Sequence, residues 1–151
     1  MVIGLLLFGS TSGQACFGPK LYLGTPESGE GEVLAELVAL YVKEKTGVES
    51  ILVPLEGKDA VTEIREERLD LAVVSHLDSR LPDLLRVEGG PGLLSGMRPM
   101  NDLQFTTVVP ALKKLSGLLD AEIFKGLVDD VAAGEPVRAR VRRLLMERGW
   151  I

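Results

Sequence analysis

Short apolar runs alternate with segments of helical periodicity between residues 20 and 74, and this alternation restricts the fold more than any other feature of the chain. The runs at 21–23, 51–55 and 71–74 have the length and composition of strands. The segments between them place apolar residues on one face and charged residues on the other. Because a helix that joins two strands of one sheet makes them parallel, the pattern predicts an α/β domain: a single three-layer domain with a mostly parallel sheet flanked by helices.

The middle of the chain departs from this pattern. Residues 75–101 contain Pro82, Pro99 and a Gly-Gly-Pro-Gly run at 89–92, so we expect only short turns there. Residues 105–109 are rich in β-branched and aromatic side chains, and they predict a fourth strand.

The C-terminal part predicts three helices. Pro110 suits the first turn of a helix that ends near Gly117, and Asp120 can cap a second helix. The last helix begins near Pro136, and we expect it to pack back onto the N-terminal unit. Its predicted inward residues are Val141, Leu144 and Leu145.

Length and charge limit the functions that the chain can have. The 151 residues suffice for one domain with a core but not for two ordinary domains. A net charge of −5 argues against a broad basic surface, so we expect no nucleic-acid partner. The C-terminal arginines have the spacing of a solvated helix face. They are Arg138, Arg140, Arg142, Arg143 and Arg148.

Two segments in order resemble a known family. Residues 21–74, which read LYLGTPESGEGEVLAELVALYVKEKTGVESILVPLEGKDAVTEIREERLDLAVV, resemble the opening lobe of glycine betaine/choline (osmoprotectant) substrate-binding proteins of ABC transporters. Residues 111–151, ALKKLSGLLDAEIFKGLVDDVAAGEPVRARVRRLLMERGWI, resemble the tail of that family. Together the segments cover roughly two-thirds of the chain.

The resemblance implies a type II periplasmic-binding fold reduced to a single lobe. In that family both chain ends build the first lobe and the middle builds a second, whereas residues 75–104 here are too few for a second lobe. The function implied is binding of a small solute, with an ABC permease as a partner. The alternative is a single-lobe protein-interaction or self-associating module, such as a homodimer, without a transport ligand.

Ligands of open parallel sheets bind beyond the carboxyl ends of the strands. Those positions are residues 25–31, 56–58 and 75–76. The candidate ligand-binding residues are Thr25, Glu27, Ser28, Gly29, Ser75 and His76. Glu27, with Glu30 and Glu32, either stabilises a helix N-terminus or attracts a cationic or zwitterionic ligand, and the sequence leaves both interpretations open.

An aromatic cage for a quaternary ammonium group, a hydrolase site and a metal site all have little support in the sequence. A quaternary ammonium group is usually held by aromatic rings, but Tyr22 and Tyr41 fall where core packing is expected, so the sequence does not identify the solute. His76 is the only histidine, and Ser75 beside it lacks the Gly-x-Ser-x-Gly turn of a hydrolase. We therefore expect no enzyme, no metal and no cofactor.

The single cysteine, Cys16, has an informative position. Residues 2–8 are apolar, residues 9–14 are small and polar, and Ala15 precedes the cysteine. This order resembles an export signal that ends at a lipidated cysteine. It predicts a signal- or lipoprotein-like segment at residues 1–19, a domain at 20–151, a lipid anchor at Cys16, and a location in the periplasm or on a membrane. The alternative is a buried strand followed by a loop.

Overall fold

A computed structural model describes residues 18–151 as one domain with a five-stranded mixed sheet and helices on both faces. Cys16 and the rest of residues 1–17 lie outside the described part. The strands are β1 Lys20–Thr25, β2 Glu49–Pro54, β3 Leu71–Val74, β4 Asp83–Arg86 and β5 Gly92–Ser95. The helices are α1 Gly29–Thr46, α2 Ala60–Arg65, α3 Met97–Asn101, α4 Val108–Leu118, α5 Ala121–Ala132 and α6 Val137–Glu147, with a 3-10 turn at Leu103–Phe105.

The sheet order is β2-β1-β3-β5-β4. β1 pairs in parallel with β2 and with β3, whereas β5 is antiparallel to both β3 and β4. The three predicted strands therefore lie side by side in one sheet. The predicted α/β class is confirmed, and the sheet is mixed because β5 runs against its neighbours.

The first two helices cover opposite faces of the sheet. The chain moves from β1 to β2 in one direction and from β2 back past β1 to β3 in the other. Since such crossovers are right-handed, reversing the direction places the second helix on the other face. α1 covers the first face, over Leu21 and Leu23, and α2 covers the second face, over Ala72 and Leu94.

α1 begins and ends where its sequence provides caps. The Ser28 side chain accepts a hydrogen bond from the Gly31 amide at 3.0 Å, which satisfies one free donor of the first turn. Gly47 closes the helix with a φ of 76°, a left-handed conformation that favours glycine, and its amide donates to the Lys43 carbonyl. Between the caps an almost continuous apolar face is buried.

The predictions for residues 75–109 are wrong in two places. Residues 75–101 form β4, β5 and α3 rather than turns alone. Leu84-Leu85 and Leu93-Leu94 are apolar runs too short to be recognised as strands, and pairing with each other and with β3 stabilises them. The expected strand at 105–109 is the end of the 3-10 turn and the start of α4.

Helical spacing explains the second of these differences. Phe105, Val108, Leu112 and Leu115 are fully buried and recur every three or four residues, so they form one face of a helical segment against the core. The β-branched residues at 106–109 suggested a strand by local propensity alone, and tertiary packing overrides it.

α4, α5 and α6 share the first face of the sheet with α1. The predicted inward residues of α6, Val141, Leu144 and Leu145, are buried in the same core cluster. Two ion pairs add to the contact with α1, from Arg142 to Glu44 at 3.3 Å and from Arg138 to Glu36 at 3.6 Å. Because the arginine of each pair is more than half exposed, the pairs contribute little, so apolar burial holds α6 in place.

Within residues 18–151, none of the helices combines the length and the apolar character needed to cross a bilayer.

We expect replacement of Leu144 by alanine to lower the free energy of unfolding by about 2–5 kcal/mol, because it leaves a cavity between α6 and α1. Urea unfolding followed by circular dichroism measures this loss. Met146→Ala is the matched control, since Met146 is exposed on the same helix and its loss should cost less than about 0.5 kcal/mol. A loss below about 1 kcal/mol for Leu144→Ala would mean that α6 is peripheral.

Candidate functional site

The strand order creates a switch point at β1. The connection after β1 leads to β2 on one side, and the connection after β2 leads to β3 on the other. The register pairs Gly24 with Ala72, so β1 and β3 run in the same direction and their carboxyl ends lie at the same edge. Ligands of open α/β sheets bind in the crevice that such a reversal opens. We call this the carboxyl-end edge.

The loop after β1 is held tightly against the start of α1. Thr25 is buried at the end of the strand, and Ser28 caps the helix. Gly31 is required by close packing, because a Cβ there would lie 2.3 Å from Pro26 Cγ and 2.8 Å from Ser28 Oγ. The loop is therefore a compact turn with little freedom, and Gly29 is exposed on its rim with open space around it.

Three carboxylates surround this loop. Glu27 precedes the cap, and Glu30 and Glu32 lie in the first turn of α1, all of them exposed. Negative charge in a first turn stabilises a helix, and the same charges attract a cation. The geometry is compatible with both interpretations of these glutamates.

The loop after β2 is joined to the end of β1. The Leu55 amide donates to the Thr25 carbonyl at 2.9 Å, which extends the ladder past the last strand residue. Glu56 and Gly57 then adopt φ angles of 52° and 79°, and the Lys58 amide donates to the Leu55 carbonyl at 2.9 Å. The turn is thus tight and left-handed, an arrangement that glycine makes possible at its second position.

Ser75 and His76 follow β3 in an exposed bend. The next residue, Leu77, folds back over the sheet, so that a Cβ on Gly92 would lie 2.5 Å from Leu77 Cδ2. The Arg80 guanidinium then donates hydrogen bonds to the Asp78 carboxylate, and this contact lowers the pKa of the Asp78 carboxyl to about 2. An ion pair therefore fixes the far end of the bend that carries Ser75 and His76.

A cavity of 250 Å³ opens at the carboxyl-end edge on the α1 face. It is lined by Thr25, Glu32, Glu36, Leu52, Pro54 and Val137. Among the predicted ligand residues it includes Thr25. Glu27, Ser28, Gly29, Ser75 and His76 do not line it.

Sequence reasoning missed Glu36 and Val137 as site residues. Glu36 is four positions after Glu32, and this spacing places both carboxylates on one face of α1, a signal that was available. Glu36 Oε2 is buried without a hydrogen bond, and Arg138 Nη1 lies 3.6 Å away. Val137 comes from the far end of the chain, so only the folded structure brings it here.

A larger cavity of 690 Å³ lies at the opposite edge, beside the amino end of β3. Two of its polar lining residues, Asp70 and Arg98, bind each other. Asp70 accepts hydrogen bonds from the Tyr22 amide at 2.8 Å and from Arg98 at 3.1 Å, and Arg98 also donates to the Lys20 carbonyl at 3.2 Å. These bonds occupy Asp70 and Arg98, whereas the cavity is also lined by Arg65, Glu67, Asn101 and Asp102.

The two tyrosines differ in their surroundings. Tyr41 is fully buried on α1 as predicted, and burial raises the pKa of its hydroxyl. The prediction of core packing is wrong for Tyr22, which is exposed on the second face of the sheet beyond the reach of α2. Within residues 18–151 no group of three or more His, Cys, Asp and Glu side chains is placed to hold a metal ion.

We expect the Asp78–Arg80 pair to stabilise the fold above pH 4 and to lose this effect as the pH falls towards 2. The carboxyl has a lower pKa in the folded chain than its ordinary 3.8, so acid protonates the unfolded chain first. Asp78→Asn should therefore lower the Tm at pH 7, with a difference from the unmodified chain that shrinks between about pH 4 and pH 2. A difference that is constant with pH would show that the pair does not act through charge.

Comparison of the chain with family models, with curated proteins and with solved structures finds no match. The carboxyl-end edge combines a switch point between β1 and β3, an acidic loop at the start of α1, and a small cavity with two carboxylates in its lining.

Proposed function

We propose that the protein binds a small solute at the carboxyl-end edge, as the substrate-binding component of an ABC transporter does. The observation that carries the proposal is the reversal of strand order at β1, which sets the loops after β1 and β3 side by side. Those loops carry the exposed polar residues Ser28, Ser75 and His76. Tight turns support them, so the edge is ordered before any solute arrives.

The charges at this edge favour a cationic or zwitterionic solute. Glu32 and Glu36 line the 250 Å³ cavity together with the apolar side chains of Leu52, Pro54 and Val137. Carboxylates beside apolar walls suit an amine that carries hydrocarbon groups, which is the chemistry of an osmoprotectant. Repulsion by the same carboxylates disfavours phosphate and other anions.

A single wall limits how tightly a solute is held. The segment between β3 and α4 adds β4, β5 and α3 to the same domain and does not form a second lobe. A solute at the carboxyl-end edge would keep one side in water, where its polar groups gain little from binding. A partner that closes this edge, such as a permease, would raise the affinity. This proposal includes an extracytoplasmic location with a lipid anchor at Cys16.

The second candidate function is a protein-interaction or self-associating module. The same open edge favours it, because surfaces that leave polar and apolar groups partly exposed often mark contacts with another chain. Two copies related by a twofold axis would each contribute Ser75 and His76, so one substitution would act twice in the dimer.

Glycine betaine and choline should raise the Tm of the full chain if the edge binds such a solute. A probe at 100 times its dissociation constant stabilises the folded state by about 2.7 kcal/mol. Glu32→Arg should abolish the shift, because it reverses a charge in the lining of the 250 Å³ cavity. Glu30→Arg is the matched control, since it reverses a charge in the same first turn of α1 but outside the lining, and it should retain the shift.

Different results would contradict solute binding and self-association. No Tm shift with either probe, together with a dimer that Ser75→Arg dissociates in sedimentation experiments, would replace solute binding with self-association. No shift and a monomer at all concentrations would leave this edge without a function, and both proposals would fail.

A further inference from the structure

The exposed large apolar side chains of the described residues cluster at one end of the domain. Six such side chains occur. Met97, Met100 and Leu103 follow β5 at the amino end of β3, and Tyr22 and Ile51 are the third residues of β1 and β2. These five form the amino-end patch: Tyr22 (41% exposed), Ile51 (38%), Met97 (62%), Met100 (42%) and Leu103 (86%). The sixth, Met146, lies on α6. Such a concentration is characteristic of a contact surface.

Within the patch, the register and the helix spacing set neighbours together. Tyr22 is the register partner of Ile51 on β2. Met97 and Met100 are three positions apart on α3, so they share a face, and Leu103 follows in the 3-10 turn. Met97 also lines the 690 Å³ cavity with Ile64 and Leu69, which continues the apolar surface towards α2.

The short helix α3 is held rigidly to the sheet. Arg98 bonds the buried carboxylate of Asp70 at 3.1 and 3.2 Å and the Lys20 carbonyl at 3.2 Å, and its guanidinium lies 4.9 Å from the centre of the Phe105 ring. The Gly96 amide donates to the Asp70 carbonyl at 2.8 Å. The exposed methionines are therefore presented on a fixed element, not on a loop that could fold them inward.

The patch lies where the chain enters the domain. β1 begins at Lys20, whose carbonyl is in direct contact with Arg98 of α3. Four residue steps separate Lys20 from Cys16, and an extended chain of that length spans at most about 14 Å. An anchor at Cys16 would hold this end of the domain close to the bilayer surface.

We propose that the amino-end patch rests on the phospholipid bilayer that carries the anchor, with the side chains of Met97, Met100 and Leu103 inserted among the lipids. The inference extends the proposed function, because it assumes the anchor at Cys16. A single lipid chain binds membranes only marginally, and stable attachment needs a second contact. The apolar patch supplies that contact and points the carboxyl-end edge, with its solute site, away from the membrane.

The contact is apolar rather than electrostatic. Arg98 beside the patch is paired with Asp70, and the neighbouring cavity is lined by Arg65 together with Glu67 and Asp102. With both signs of charge present, attraction to anionic headgroups is weak. We therefore expect similar binding to zwitterionic and anionic vesicles and little dependence on salt.

Flotation of the purified, non-lipidated full chain with phosphatidylcholine vesicles, with and without phosphatidylglycerol, tests the patch. Leu103→Asp and Met97→Asp should each lower the vesicle-bound fraction at equal lipid by a partition factor of about ten or more, because each replaces an inserted side chain by a charge. Met146→Asp is the matched control: its side chain is 60% exposed but lies on α6, and its partition should equal that of the unmodified chain.

Equal partition of all four proteins would overturn the proposal. Vesicle binding that disappears in high salt would also overturn it, because the binding would then be electrostatic. A dimer that Leu103→Asp dissociates without changing the partition would make the patch a self-association surface instead. Cys16-dependent incorporation of labelled palmitate in cells tests the anchor separately, and the glycine betaine shift tests the solute site. A failure of the patch is thus distinguishable from a failure of the proposed function.

Discussion

The pairing of β1 with β2 on one side and β3 on the other is the constraint on which the rest of the structure depends. It forces the two crossovers in opposite directions, and right-handed connection then places α1 and α2 on opposite faces. The carboxyl end of β1 is thereby covered on both faces, while Tyr22 nearer its start stays exposed. Gly24 is needed because a Cβ there would lie 2.6 Å from Leu69 Cδ1. The same pairing sets the loops after β1 and β3 next to each other.

The two edges of the sheet differ in how their polar groups are used. At the amino end the Asp70 carboxylate and the Arg98 guanidinium are bound to each other and to the backbone, which fixes α3 and exposes apolar side chains around it. At the carboxyl end, carboxylates and hydroxyls remain exposed on short, tight turns. The first arrangement suits an apolar contact and the second suits a polar solute, so the two proposals assign different functions to opposite ends of one domain.

Sequence periodicity was sufficient to predict the strands and helices that local patterns define. The runs at 21–23, 51–55 and 71–74 became neighbouring strands, and Asp120 caps a helix as its position suggested. β4 and β5 escaped detection because each contributes only two buried leucines, and pairing across the sheet rather than local propensity stabilises them. For the same reason the cavity residue Val137 was missed, since its approach to β1 depends on how α6 packs against α1.

Backbone amide shifts give the most direct test of where a solute binds. Titration of the ¹⁵N-labelled full chain with glycine betaine should move the amide signals of Thr25, Glu32 and Glu36, which line the cavity at the carboxyl-end edge. The signals of Asp70, Gly96 and Arg98, at the opposite edge, should stay in place. Shifts confined to those amino-end residues would contradict the account, because they would place the solute in the larger cavity instead of at the switch point.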